Sequence, residues 1–216
     1  ETKMTELRSV MLENFQERLF CKERGCFADA RIDDALSEMH SEHASMAAIR
    51  FGLADEAATA SVIRRFYETP YEPGNLPYTA ECEPFFTVFV LQALDRAGRF
   101  DLALQLIRDR WGRRMLDKGA RSTYEEWSCN GSWRSGEWAP IMRTHSHAWS
   151  AAPAEFLVRN LIGLEILEPG GKRCRVNPQE TSFPYKVVCP LKEGEVTVDW
   201  DGAQMAVSES GVELVR

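Results

Sequence analysis

Between Gly119 and Pro153 the sequence gathers Glu125, Glu126, Glu137, Arg143, His145 and His147 among the indoles of Trp127, Trp133, Trp138 and Trp149. Carboxylates beside indoles suit a carbohydrate. The CH face of a sugar ring packs on an aromatic plane, and its hydroxyls need polar or charged partners. A carboxylate can serve as acid, base or nucleophile at an anomeric carbon. In Tyr124-Glu125-Glu126-Trp127 two acids stand between two aromatic rings. The same four residues also fit a solvated turn with aromatics packed beneath it. Glu125, His145 and His147 lack the further spaced His or Cys that a metal site needs, so neither metal nor cofactor is expected. Most of the segment has no helical or strand period, and a long loop inside a compact domain is usually functional.

The elements that must position this loop are helices. Leu7, Val10, Met11, Phe15 and Leu19 recur near helical spacing and predict a helix over residues 4–20. Further helices are predicted over 41–53, 56–67, 83–97, 101–116 and 153–166. The one over 83–97 is apolar nearly all round and should be buried on most sides. Gly52 and Asp55 supply a stop and a start between two helices, and Gly98 and Asp101 repeat that junction 46 residues later. Repeated helical hairpins build a solenoid or a closed α/α toroid; irregular intervals and long loops favour the toroid. Glu168-Pro169-Gly170-Gly171 cannot continue a helix. Beyond it Tyr185, Val187 and Cys189 share one strand face and Val196, Val198 and Trp200 another. Asp201-Gly202 marks a hairpin turn before Met205 and Val207. The expected fold is mainly α: part of a helical-hairpin toroid over residues 1–168, then a small antiparallel β-sandwich segment over 169–216.

Bulk properties narrow the function classes. Of 216 residues, 44% are apolar and 27% charged, as in a folded domain rather than a disordered chain. The net charge of −7 argues against a nucleic-acid partner, which would call for a basic face. No apolar run approaches the roughly 18–20 residues of a membrane span. Six cysteines form no CxxC pair and are read as buried free thiols. They leave the compartment open between cytoplasm and periplasm or exterior. The chain begins at Glu1 with no signal peptide, and is read as a piece excised from a longer protein.

Four motifs in register carry a family likeness. Gly119-Ala120-Arg121-Ser122-Thr123-Tyr124-Glu125-Glu126-Trp127 resembles the Gly-Ala-Thr-Thr-x-Trp-Glu-x-Trp stretch of bacterial α-L-rhamnosidases of glycoside hydrolase family 78. Thr144 to Pro153 is similar to that family's Ser-x-x-His-x-Trp-Ser-x-x-Pro run. Leu161-Ile162-Gly163-Leu164, Pro169-Gly170 and Val176-Asn177-Pro178 resemble its passage into a C-terminal β domain, and Ser41-Glu42-His43-Ala44-Ser45 the start of an inner helix. The resemblance implies a six-hairpin glycosidase that hydrolyses terminal α-L-rhamnosides with inversion. Glu125 falls on the general base, which deprotonates a water attacking the anomeric carbon; inverting carboxyl pairs stand about 6.5–9.5 Å apart to admit it. Glu126 would then point elsewhere. His147 falls on a histidine that hydrogen-bonds the sugar, and Tyr124, Trp127 and Trp149 on aromatic positions near the cleft, as sugar platforms or as core. His145 is left as structural, and His43 as core or a hydrogen bond at the barrel mouth.

The chain departs from that pattern in three ways. No counterpart of the family's general acid is found; Asp29-Ala30-Arg31-Ile32-Asp33-Asp34 matches the loop before Ser41 instead. About half the helices of a six-hairpin barrel are counted, so the missing N-terminal half of the same enzyme is the expected partner, beside a rhamnose-containing glycoside, and the chain alone is expected to be inactive. Tyr124 stands for tryptophan, Arg121-Ser122 for a threonine pair, and Ser128–Ala139 is an unusual insertion. Two other readings stay open: a six-hairpin glycosidase for a different sugar, and a non-catalytic helical-repeat interaction module.

Overall fold

The computed structural model describes residues 2–69, 81–127 and 144–215. It divides into two compact units, Glu1–Ala152 and Pro153–Arg216. The first is helical. Helix α1 (Thr2–Leu19) leads into two short hairpins, β1 (Phe20–Cys21) with β2 (Cys26–Phe27) and β3 (Arg31–Ile32) with β4 (Ala35–Leu36). These hairpins occupy the stretch before Ser41 that the sequence reads as a loop. The second is closed by Asp33-Asp34, both at positive φ (47° and 62°). A two-residue turn must adopt that conformation to match the strand twist, and aspartate tolerates it. Phe15 and Phe20 pack on the buried ring of Phe27, with centroids 5.6 and 5.1 Å away.

The helical hairpins follow. Helix α2 (Glu42–Arg50) is capped by Ser41, whose hydroxyl accepts from the Ala44 amide; helix α3 (Glu56–Ile63) is capped by Asp55 and continues as a π-helical turn, Arg64–Glu68. Helix α4 (Thr87–Arg96) packs mainly on α2, and helix α5 (Phe100–Ile107) runs on into a π-helical turn, Arg108–Arg113. The two glycine junctions read from the sequence share one helix stop but not one start: Asp55 caps α3, while Asp101 lies in the first turn of α5, which follows Arg99 without a side-chain cap. Leu53 N–H donates to Ala48 C=O and Arg99 N–H to Leu94 C=O, each at 2.8 Å. Gly52 and Gly98 both sit at φ 71° between them. Only that left-handed residue lets the last carbonyls of each helix be satisfied while the chain reverses. Met46, Ile49, Val62, Val90, Leu91, Leu94 and Leu102 are buried among these helices. Phe85, Phe86, Val88 and Phe89 stay half-buried, so the segment predicted as a helix over 83–97 is covered less completely than its composition suggests.

The second unit begins with most of helix α6 (Ala152–Phe156) and a π-helical turn, Leu157–Leu161. The helix expected to reach 166 ends here, because Gly163 turns the chain at φ 61° and β5 (Glu165–Ile166) pairs with β6 (Arg173–Arg175). Strands β7 (Tyr185–Pro190), β8 (Glu195–Trp200) and β9 (Met205–Ser210) form an antiparallel sheet; β10 (Glu213–Leu214) joins β6 in parallel. Asp201 closes the β8–β9 loop by accepting from the Ala203 and Gln204 amides at 2.8 and 2.7 Å. Ile162, Cys174, Cys189, Val196 and Val198 share one buried core, which ties the last helical turn to the strands. The five described cysteines are free thiols; Cys21 is half-buried and the others are buried. No described helix is long and apolar enough to cross a membrane.

Gly163 tests this junction. A Cβ there would stand 2.3 Å from the Asn177 carbonyl oxygen, on a backbone that disfavours L residues. Gly163→Ala is expected to cost roughly 1–3 kcal/mol, read as a lower thermal midpoint. An unchanged midpoint would show that the loop carrying Asn177 gives way freely.

Candidate active site

The two glycine turns close one end of the hairpins. The other end carries the start of α2, the π-helical turns after α3 and α5, and the loops that follow. Here the two chemistry-bearing stretches lie side by side. Gly119, at φ 86°, ends a short helical turn (Leu116–Lys118) and releases the chain. Thr123 then pairs with His147: its carbonyl accepts from the His147 amide at 2.8 Å, and its hydroxyl donates to the His147 carbonyl at 2.8 Å. The Ser122 hydroxyl donates to the His145 carbonyl. Glu125 is held twice by Thr144: its amide donates to the Thr144 carbonyl, and its Oε2 accepts from the Thr144 amide, both at 3.1 Å. Its carboxylate is thus fixed while the residue stays half-buried.

The aromatic residues divide by exposure. Trp149 is 67% exposed, beside Phe85 with ring centroids 5.4 Å apart. His147 is half-buried; its Nδ1 lies 2.7 Å from Ser150 Oγ, and its ring meets Phe85 edge-on. Tyr124 stacks on His145 at 4.5 Å, a pairing the sequence reading did not anticipate. Trp127 is 9% exposed. It packs edge-on against Trp111, donates Nε1–H to the Cys82 carbonyl at 2.7 Å, and has the guanidinium groups of Arg110 and Arg114 over its ring. So placed, it offers little surface to a ligand. Glu126, adjacent to the fixed carboxylate, is buried.

Beneath this loop lies a charge cluster. Glu42, 2% exposed, receives both terminal nitrogens of Arg110 at 2.7 and 3.0 Å, together with the Cys82 amide at 2.7 Å and the Tyr67 hydroxyl. Arg110 Nε also reaches Glu81, which in turn pairs with Arg114. Burial alone would raise the Glu42 carboxyl; the charge and hydrogen bonds of Arg110, with those of Tyr67 and Cys82, hold it below its ordinary value. Burial and the neighbouring Glu42 push the Tyr67 phenol and the Cys82 thiol up. Sequence reasoning missed these residues. One signal existed: Glu42 sits on the same helical stripe as Ser45, Met46 and Ile49, all buried, and a carboxylate there demands a cation. Nothing in the sequence pointed to Arg110, 68 residues away. Glu137, Arg143, Trp133, Trp138 and the insertion 128–139 lie outside the described residues. Among the described residues no three His, Cys, Asp or Glu side chains converge to hold a metal ion.

Residues 1–161 match the family described as the bacterial alpha-L-rhamnosidase 6 hairpin glycosidase domain. The chain belongs to that family, and its helical part is a portion of a six-hairpin toroid followed by antiparallel strands. Among solved structures it is similar to a rhamnosidase of Bacillus sp. GL1, described as GH78 family, at 26% identity and TM-score 0.73, covering 94% of this chain and 22% of that one. An α-L-rhamnosidase of Streptomyces avermitilis, solved with L-rhamnose, shares the fold at 17% identity and TM-score 0.65, covering 97% and 20%. One from Dictyoglumus thermophilum does so at 15% and 0.67, covering 98% and 23%. The chain thus spans about a fifth of the length of these proteins. No curated protein matches it.

The cluster predicts acid sensitivity. Glu42 titrates lower in the folded chain than its ordinary value of about 4.3. Its contribution to stability is therefore complete above that pH and is lost as the pH falls through the folded value. Glu42→Gln leaves Arg110 buried with less compensation and is expected to cost about 3–5 kcal/mol at pH 7. It should also flatten the acid limb of thermal midpoint against pH. A limb of unaltered steepness would show that other carboxylates set it.

Proposed function

We propose that the chain is part of an inverting α-L-rhamnosidase of glycoside hydrolase family 78, in which Glu125 is the general base. The observation that carries the reading is the half-buried Glu125, whose carboxylate is hydrogen-bonded to Thr144 where the two motif stretches pair, within a chain of this family. A carboxylate held in one orientation at the open end of a helical toroid is suited to take a proton from water as that water attacks the anomeric carbon. His147, its Nδ1 committed to Ser150, turns Nε2 to a sugar hydroxyl. Trp149 supplies an indole face for the sugar, while Trp127 supports the turn from beneath. Tyr124, stacked on His145, is read as a further aromatic contact to the sugar in the same loop.

In this reading residues 1–168 belong to the catalytic barrel and 169–216 open a C-terminal β domain, with the family match ending nearby at 161. The general acid and the rest of the cleft wall come from a preceding part of the same enzyme. The substrate is a rhamnose-containing glycoside rather than another sugar, an assignment supported by the likeness to the Bacillus sp. GL1 rhamnosidase.

Two outcomes test this. In the full-length enzyme, Glu125→Gln should lower kcat on an aryl α-L-rhamnoside by a factor on the order of 10³ or more, leaving KM near its starting value. Activity within tenfold of the parent would remove Glu125 from the chemistry. The present chain alone, purified, should release no aryl leaving group above background. Turnover that depends on Glu125 would show that the acid lies within these residues after all.

A further inference from the structure

The buried ion pair and the candidate base belong to different elements, yet one unbroken chain of contacts joins them. Glu42 starts α2 and Arg110 lies in the turn after α5; their two hydrogen bonds clamp these elements together. The same Glu42 oxygen that takes one Arg110 nitrogen also takes the Cys82 amide, which fixes the peptide segment at 81–82. The carbonyl of Cys82 takes the Trp127 indole N–H at 2.7 Å. Arg110 touches that indole as well, its guanidinium carbon 5.7 Å from the ring centroid. Trp127 is two residues beyond Glu125 and is the last described residue of the turn that carries it. At the other end that turn is anchored by the Thr123–His147 pair.

We propose that Glu42 and Arg110 act as positioning residues for the base: through Cys82 and Trp127 they set the height and angle of the Glu125 carboxylate. The inference rests on the assignment of Glu125 above. It assigns a catalytic consequence to a pair that touches no substrate. Its physical basis is the stiffness of the linkage. A buried bidentate pair has one low-energy geometry, and an indole packed on one side by Trp111 and on another by two guanidinium groups has little freedom to tilt. A general base must meet its water within hydrogen-bond reach, and a displacement of about 1 Å at such a group costs on the order of 100-fold in rate.

The test uses the full-length enzyme and three variants. Glu42→Gln combined with Arg110→Gln removes both charges together, so that no lone buried ion is left to unfold the protein. Trp127→Phe keeps an aromatic six-membered ring and removes the pyrrole ring with its N–H to Cys82, which cuts the linkage downstream and decides the matter if the double variant does not fold. Glu125→Gln reports on the base itself. For folded protein, confirmed by circular dichroism and thermal midpoint, both linkage variants are expected to lower kcat by tenfold to 100-fold with KM changed by less than about threefold. They should also move the acid limb of the kcat–pH profile, which follows the base in the enzyme–substrate complex. A loss proportional to the unfolded fraction with an unmoved limb, or kcat within twofold of the parent, would overturn the positioning role. Activity surviving Glu125→Gln would overturn the base assignment and this inference with it; loss in Glu125→Gln alone would overturn the inference only.

Discussion

A buried carboxylate and a buried guanidinium clamp together the end of the hairpins that lies away from the glycine turns. Each ion loses several kcal/mol of hydration on leaving water, and their pairing offsets that loss. Glu42 and Arg110 meet that demand with two direct hydrogen bonds, and the remaining acceptor capacity of Glu42 is filled by Tyr67 and the Cys82 amide. The result is a knot among α2, the turn after α3, the segment before α4 and the turn after α5. Those segments meet only at the end of the hairpins away from the glycine turns. The loop bearing Glu125 rises from the same end and is pinned there by Trp127.

The two hairpin ends differ in how they turn the chain. At one end, Gly52 and Gly98 reverse the chain in short turns. At the other, the connections lengthen, and their backbone groups are satisfied by partners distant in sequence: Thr123 by His147, Glu125 by Thr144, the Cys82 carbonyl by Trp127. A backbone left unpaired there would be costly wherever it is buried. The pairing that removes this cost also sets the carboxylate of Glu125 against the segment that carries His147 and Trp149.

Local rules made much of this legible. The repeated glycine stop identified the hairpins because a helix C-terminus needs a left-handed residue wherever it occurs; the aspartate start held at Asp55 only, since α5 begins before Asp101. Alternation in 185–207 identified the β7–β8–β9 sheet because one face must be buried. The β3–β4 hairpin was missed although Asp33-Asp34 is a turn signal, since the flanking strands are only two residues long and show no period. The last helix was read too long because Glu165 and Ile166 fit a helix by propensity, and only their pairing with β6 makes them a strand. At the site, residue types were visible and their roles were not. Trp127 and Trp149 look alike in the sequence, yet one is buried beneath two arginines and the other is 67% exposed. That difference depends on contacts with Cys82 and Arg110, which no window of the sequence contains.

The central claim is that Glu125 delivers water to the anomeric carbon from the face opposite the leaving group. Azide rescue of Glu125→Ala in the full-length enzyme tests it most directly, because a small anion needs no base and can enter the space the carboxylate leaves. With an activated α-L-rhamnoside, the account predicts that azide restores turnover and that proton NMR identifies the product as the β-rhamnosyl azide. No rescue, or an azide of retained α configuration, would contradict it.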